Sequence, residues 1–175
     1  MKKLLYIIAN SKDEEQSSSR TVSRRLVNAI LKKVPDAELE ELNLYEAHIP
    51  QLKGCYFESR SAIVSSAARN KLSAEEQKEI SKIEQLCNQF KEADLYILAA
   101  PMWSLSFPAP VKEYLDCIIQ AGKTIAFENN KPRGLLNDKD RTFIYVQSSG
   151  TTEEERQSAI KNASDKIPQI VEKLF

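Results

Sequence analysis

The stretch Leu95-Tyr96-Ile97-Leu98-Ala99-Ala100 is apolar throughout and stops abruptly at Pro101. A short, continuous apolar run of this kind reads as a strand of a parallel sheet, buried on both faces. The sixteen residues from Pro101 to Asp116 follow, with no charge before Lys112. Ligands of open α/β sheets sit beyond the carboxyl ends of the strands. A neutral loop with an indole and a thioether at that place suits a flat, conjugated ligand. Met102, Trp103 and Phe107 suit packing beneath a loop equally well.

The rest of the chain alternates strand and helix in the same manner, as a parallel sheet with helices on both faces requires. A first strand is expected over 3–9 and a helix over 19–33, where Val22, Leu26, Ala29 and Ile30 share one face. A second strand over 38–44 alternates Leu with acidic residues, as an edge strand does. Residues 45–71 show no period and read as a long polar excursion. Ser73-Ala-Glu-Glu76 has capping-box spacing, and the helix it opens carries Ile80, Ile83, Cys87 and Phe90 on one face. A third strand covers 94–100. The helix over 108–120 is expected to bury Val111, Leu115, Ile118 and Ile119. A fourth strand covers 141–147, with Ser148-Ser149-Gly150 as its exit loop. A last helix begins near Thr152, again with Thr-x-x-Glu, and is interrupted at Pro168.

The fold class is therefore α/β, an open parallel sheet with helices on both faces and four clear strands. A doubly wound sheet of this kind has a fifth strand. The sequence is short of one by half a βαβ repeat, on the order of 25–30 residues. The whole chain, 1–175, is expected to form a single domain.

Composition narrows the partners. Lys plus Arg and Asp plus Glu number 25 each, so no field for a polyanion is implied and nucleic acid is not expected as a partner. The apolar run Leu4–Ala9 is shorter than the roughly 7–15 residues of a secretory core, and no segment approaches the 18 or so apolar residues of a membrane span. Three cysteines, Cys55, Cys87 and Cys117, contain no C-x-x-C pair, so neither a disulfide framework nor a zinc site is supported and a reducing cytoplasm is expected. Cys87 and Cys117 fall on apolar helix faces, and Cys55 lies in a loop. The single histidine, His48, reads as a surface loop residue, and no metal site is expected.

Asn10-Ser11 ends the first strand and Ser17-Ser18-Ser19 precedes the first helix. Backbone N–H groups at a helix N-terminus attract an anion, and serine hydroxyls add donors at little steric cost. The same serines also suit an N-cap within a flexible loop. No serine–histidine pair or paired carboxylate stands out as catalytic machinery.

Residues 101–116 resemble the FMN-binding loop of the flavodoxin-like NADH-dependent azoreductases and NAD(P)H:quinone oxidoreductases. A second block, Ala121-Gly122-Lys123-Thr124 through Phe127 to Pro132-Arg133-Gly134-Leu135-Leu136, is similar to the same family. The N-terminal serines and the stretch from Asn43-Leu44 to Ile49-Pro50 also fit. The resemblance implies a flavodoxin-like fold, with the four strands in the order 2-1-3-4, and an FMN enzyme that moves two electrons from NADH or NADPH to a quinone or azo acceptor by a ping-pong hydride mechanism at flavin N5. It implies that Ser11, Ser17, Ser18 and Ser19 cradle the FMN phosphate. Pro101, Met102, Trp103, Ser104 and Leu105 would line the isoalloxazine, with Gln147, Ser148, Ser149 and Gly150 at its pyrimidine end. Lys123 and Phe127 would form the substrate side of a homodimer's site, and Arg133 would attract the nicotinamide cofactor's phosphates. The flavin carries the chemistry, so no side chain is assigned as catalytic. Three positions depart from the family pattern: Ser104 replaces asparagine, Leu105 replaces phenylalanine, and Ser149 replaces a glycine. A flavodoxin-type electron carrier and a non-catalytic relic with weak FMN binding are the alternatives.

Overall fold

The computed structural model describes residues 2–150 and 152–175. Along the chain the elements are β1 (Lys3–Ile8), α1 (Ser18–Lys33), β2 (Glu38–Asn43), β3 (Phe57–Ser59), β4 (Ala62–Ile63), α2 (Ser66–Arg69), α3 (Ala74–Glu92) and β5 (Leu95–Pro101). They continue as α4 (Ala109–Ile118), β6 (Ile125–Glu128), β7 (Lys131–Gly134), β8 (Thr142–Ser148), α5 (Glu153–Ser164) and α6 (Ile167–Leu174). Two compact units are interleaved along the chain. One is Met1–Ala47, Ala93–Ala109 and Arg141–Phe175, and the other is His48–Glu92 and Pro110–Asp140.

The first unit holds a four-stranded sheet in the order β2-β1-β5-β8, every pair parallel. In terms of the four expected strands this is the order 2-1-3-4. All seven residues of β5 are buried, as the unbroken apolar run anticipates, and so are Leu4 to Ile8 of β1. The core packs Leu4, Tyr6, Ile8, Leu95, Ile97 and Ala99 of the sheet against Leu26, Val27 and Ile30 of α1 and Ile167 and Val171 of α6. The Tyr6 hydroxyl, carried into this layer, lies 2.7 Å from the equally buried Ser23 Oγ. Burial raises the Tyr6 phenol above its ordinary range, so it stays protonated. Arg24 lies 4.8 Å from the Tyr6 ring centroid and clasps the Glu41 carboxylate at 2.5 and 2.7 Å.

The closing helix is interrupted, as expected, just ahead of Pro168. It breaks at Asp165-Lys166, and Pro168 sits in the first turn of α6, where its missing N–H would have been unpaired anyway.

In the second unit α3 is capped by the reciprocal Ser73–Glu76 bonds that the sequence indicates. The buried face of α4 is Val111, Tyr114, Cys117 and Ile118, while Leu115 is half-buried and Ile119 is 44% exposed. Both had been expected inside. Val111, Tyr114 and Ile118 repeat at helical spacing, which turns Ile119 outward by about 100°. The expected polar excursion contains the β3–β4 hairpin and the single turn of α2. β6 and β7 form a further hairpin through Asn129 and Asn130, both at positive φ (51° and 62°), the left-handed pair that a two-residue turn demands. His48 is exposed, with Nε2 2.8 Å from the Glu79 carboxylate.

Cys87 and Cys117 are buried in this unit and donate to the carbonyls of Ile118 and Pro50. Burial pushes both thiols up, that of Cys117 to about 12. Cys55 is exposed.

Candidate functional site

The carboxyl ends of β1, β5 and β8 open into a cavity of about 260 Å³ whose lining comes wholly from the first unit. Parallel strands deliver all their exit loops to one edge, so three loops separated in sequence meet there. From β1 come Asn10 and Lys12, and from the start of α1 come Ser17 and Ser18, with Gln16 just before them. β5 contributes Pro101, Met102 and Trp103, and β8 contributes Ser148, Ser149 and Gly150. Arg156 of α5 completes the wall. A second cavity of about 180 Å³ shares Ser18, Ser148, Ser149 and Arg156 and adds Ser19 and Gln147.

The polar end is highly ordered. Ser17 is the N-cap of α1 and accepts from the Arg20 N–H at 3.3 Å. Asn10, only 3% exposed, donates through Nδ2 to Ser17 Oγ at 2.7 Å and accepts the Lys12 N–H at 3.0 Å. Ser19 Oγ lies 3.2 Å from Ser17 Oγ. These bonds hold the entry to α1 open-handed, with the unpaired first-turn amides at the cavity.

The two helix N-termini near this edge differ. The first turn of α1 contains no acidic residue. That of α5 contains Glu153, Glu154 and Glu155, and its capping box spends the end on Thr152 and Glu155. Only α1 therefore offers a free positive pole. No carboxylate lines the larger cavity, whereas Lys12 and Arg156 both do. Arg156 is fixed by the Glu15 carbonyl and by Glu153 Oε1 at 2.8 Å, and among the described residues its buried Nε has no hydrogen-bond partner. The electrostatics select an anion.

The apolar end is the β5 loop. Met102 N–H donates to the Ser148 carbonyl at 2.7 Å, tying the β5 and β8 exits together. Trp103, 44% exposed, meets Tyr45 edge to face with centroids 6.4 Å apart. Trp103 and Ser106 exchange backbone hydrogen bonds across a turn whose central residues, Ser104 and Leu105, both have positive φ (49° and 61°). A left-handed conformation in a non-glycine residue costs on the order of 1–3 kcal/mol, so this loop is held by its surroundings.

The structure thus gathers Ser17, Ser18, Pro101, Met102, Trp103, Ser148, Ser149 and Gly150 around one cavity, with Ser19 and Gln147 on the adjoining one. Ser11 is exposed in the turn after β1, Ser104 is exposed, and Leu105 is 91% exposed; none of the three lines either cavity. Lys123 and Phe127 lie in the second unit. Lys123 Nζ pairs with Glu84 at 3.2 Å, and the Phe127 ring lies 4.1 Å beneath the Arg60 guanidinium. Arg133 is paired with Glu128 at 2.8 Å. Sequence reasoning missed Asn10, Lys12, Gln16 and Arg156. Asn10 and Lys12 flank the serine pattern and were within its reach. Arg156 carried no local signal, because its place depends on where α5 docks.

A family model for the flavodoxin-like fold matches residues 2–174, and the chain belongs to that family. Among curated relatives, the FMN-dependent NADH:quinone oxidoreductase of Ruminiclostridium cellulolyticum is 67% identical over 150 residues, covering 86% of this chain and 70% of that one. The protein of the same name from Clostridium botulinum Eklund 17B is 46% identical over 215 aligned positions that take in all of both chains. An azoreductase structure from Bacillus anthracis Sterne superimposes with a TM-score of 0.79 at 21% identity over 99% of this chain and all of its own. An FMN-dependent NADH-azoreductase of B. anthracis Ames Ancestor, in complex with FMN, gives 0.76 at 20% identity over 98% and 100%. At these identities the two structures establish the shared fold.

Proposed function

We propose that this chain is an FMN-dependent NAD(P)H:quinone oxidoreductase with azoreductase capacity, its whole length acting as one FMN-binding domain. The observation that carries the reading is the carboxylate-free cavity at the α1 N-terminus, where Lys12 and Arg156 face an apolar Met102–Trp103 wall. Its two ends match the two ends of FMN, a dianionic phosphate and a flat ring. The names and 67% and 46% identities of the relatives support the same assignment.

When bound, FMN would supply the redox chemistry, a two-electron, ping-pong hydride exchange through flavin N5 between NADH or NADPH and a quinone or azo acceptor. The chain's residues bind and orient. The α1 amides with Ser17, Ser18 and Ser19 hold the phosphate, and Lys12 and Arg156 neutralise it. Pro101, Met102 and Trp103 cover the ring, and the loop Gln147–Gly150 supplies donors and acceptors to its pyrimidine edge. We assign Lys123 and Phe127 to the substrate side, Ser11, Ser104 and Leu105 to the loops that settle around the bound flavin, and a homodimer in the cytoplasm as the working form. Among the described residues no helix is long and apolar enough to cross a membrane.

Purification in the presence of FMN, followed by anaerobic titration with NADH, tests the assignment. A yellow protein bleached by NADH and reoxidised by a quinone is the expected result. A yellow protein that NADH leaves unchanged would identify an electron carrier, and a colourless one that ignores added FMN would identify a relic.

A further inference from the structure

We infer, resting on the FMN reading above, that Asn10 is a positioning residue: it fixes the Ser17 hydroxyl as a donor and so makes the polar end of the cavity selective for a doubly ionised phosphate. Asn10 lies two residues beyond β1, is 3% exposed and has both ends of its amide engaged. The Lys12 N–H, 3.0 Å away, can only donate, so the Asn10 atom facing it is Oδ1. The atom 2.7 Å from Ser17 Oγ is then Nδ2, which in its turn can only donate. Ser17 Oγ accepts a second hydrogen bond, from the Arg20 N–H at 3.3 Å, as the N-cap of α1. A hydroxyl has two lone pairs and one proton. Both lone pairs of Ser17 are therefore spent inside the protein, and only its proton is left to give.

That proton has two places to go, the cavity or Ser19 Oγ at 3.2 Å. Ser19 is 1% exposed and lines the smaller cavity, so a bond to its oxygen frees the Ser19 proton toward that wall. In either arrangement the pair presents a donor, and Ser17 presents no acceptor. The hydroxyls of Ser18, Ser148 and Ser149 are held by no such bonds among the described residues and can turn either way.

Wiring of this kind reads the protonation state of a phosphate. A dianion accepts at every free oxygen, whereas the monoanion carries a hydrogen that needs an acceptor. A phosphate monoester passes between the two at about pH 6. The charged groups around this end are Lys12 after β1, Arg20 on α1 and Arg156 on α5, with Asp13, Glu14 and Glu15 ahead of α1 and Glu153, Glu154 and Glu155 opening α5. Side chains of these kinds ordinarily titrate outside the interval from about pH 5.5 to 8. The single histidine, His48, belongs to the second unit. A change of FMN affinity across that interval therefore reports the proton on the ligand.

Flavin fluorescence titration of the full chain with FMN and with riboflavin, at about pH 8 and pH 5.5, tests this. The parent should bind FMN about fourfold more weakly at the lower pH, in step with the loss of dianion. Riboflavin, which has no phosphate, should bind equally at both. Asn10→Ala frees a Ser17 lone pair. It should weaken FMN binding about three- to tenfold at pH 8, the range for one ordinary hydrogen bond, with a smaller loss at pH 5.5 and none for riboflavin. Asn10→Asp, nearly isosteric, accepts the Ser17 proton and should lose more FMN affinity at pH 8; it takes the place of the alanine variant if that one fails to fold. In a Ser17→Ala background Asn10→Ala should cost nothing further, because its effect passes through that hydroxyl. A parent that binds no FMN at either pH would overturn the cofactor reading and this inference with it. Where the parent binds FMN, an Asn10→Ala loss that is the same at both pH values, that extends to riboflavin or that persists without the Ser17 hydroxyl would overturn the role of Asn10 alone. A folded Asn10→Asp variant that binds FMN as tightly as the parent would do the same.

Discussion

Along β2 the outer edge of the sheet carries Glu38, Glu40 and Glu41, with Glu41 clasped by Arg24 and Glu38 3.8 Å from the Lys3 ammonium. Along β8, at the opposite edge, the residues are Thr-Phe-Ile-Tyr-Val-Gln-Ser. By intrinsic preference β8 is the better strand, rich in aromatic and β-branched residues, and β2 with its three glutamates is the poorer. Yet β2 is largely shielded, with Leu42 buried, while β8 leaves Phe143 and Tyr145 in solvent. Preference for the extended state and burial are separate properties. The first belongs to the segment, and the second belongs to whatever lies beside it.

The sharpest test of this asymmetry compares two isoleucines paired in register across β5 and β8, Ile97 and Ile144. Ile97→Ala empties a fully buried site and should cost about 3 kcal/mol in urea unfolding. Ile144→Ala, at a half-buried site, should cost about 1 kcal/mol or less. Equal costs would show that the β8 side is as tightly packed as the centre.

The cavity has the same two sides, and its ligand affinity can be divided between them. Arg156→Ala, on the side that follows β8, should weaken FMN binding by roughly ten- to a hundredfold, the range for losing a hydrogen bond to a charged group. Arg156→Lys should recover part of it. Ser17→Ala, on the β1 side, should cost about 1 kcal/mol of stability as a lost cap and a smaller factor in FMN affinity. Flavin fluorescence titration measures both. An Arg156→Ala protein that binds FMN as tightly as the parent would place the phosphate wholly under α1.

The smallest effect is expected at the charged edge. Arg24 holds the Glu41 carboxyl below its ordinary range through hydrogen bonding, against the opposing pull of burial. A carboxyl depressed in the folded state adds stability above its unfolded value and loses it as pH falls through the folded one. For so exposed a pair the contribution should be about 0.5 kcal/mol. Denaturation midpoints at pH 7 and pH 3 for the parent and Glu41→Gln should therefore differ by only that much. A larger gap would show that the β2 edge depends on its charges for stability.

Much of this frame was legible in the residues. The continuous apolar run ending at Pro101 gave a strand buried on all seven positions, and the Leu–Glu alternation after residue 38 gave an edge. Ser73–Glu76 and Thr152–Glu155 form the caps that their spacing announces. The hairpins of the second unit were not legible, because strands of two to four residues are too short for a period to show. The asparagine pair at residues 129–130 was the one available sign. Of the cavity, the serines and the aromatic loop were visible as local patterns. Arg156 was not, since its place at the cavity depends on where α5 docks, which no pattern in its neighbours records.

The depth at which Cys87 and Cys117 lie has a chemical consequence of its own. Quinones are Michael acceptors, and the thiolate is the form of cysteine that adds to them. A protein that handled such acceptors at every turnover would arylate itself if its thiols were accessible and ionised. Burial removes both conditions at once here, keeping the two sulfurs out of contact and the Cys117 thiol protonated up to about pH 12. Cys55 alone is left open to solvent, its Sγ 3.6 Å from a Glu76 carboxylate oxygen, so chemical damage by the substrate would be recorded at that one position while the interior of the molecule stays untouched.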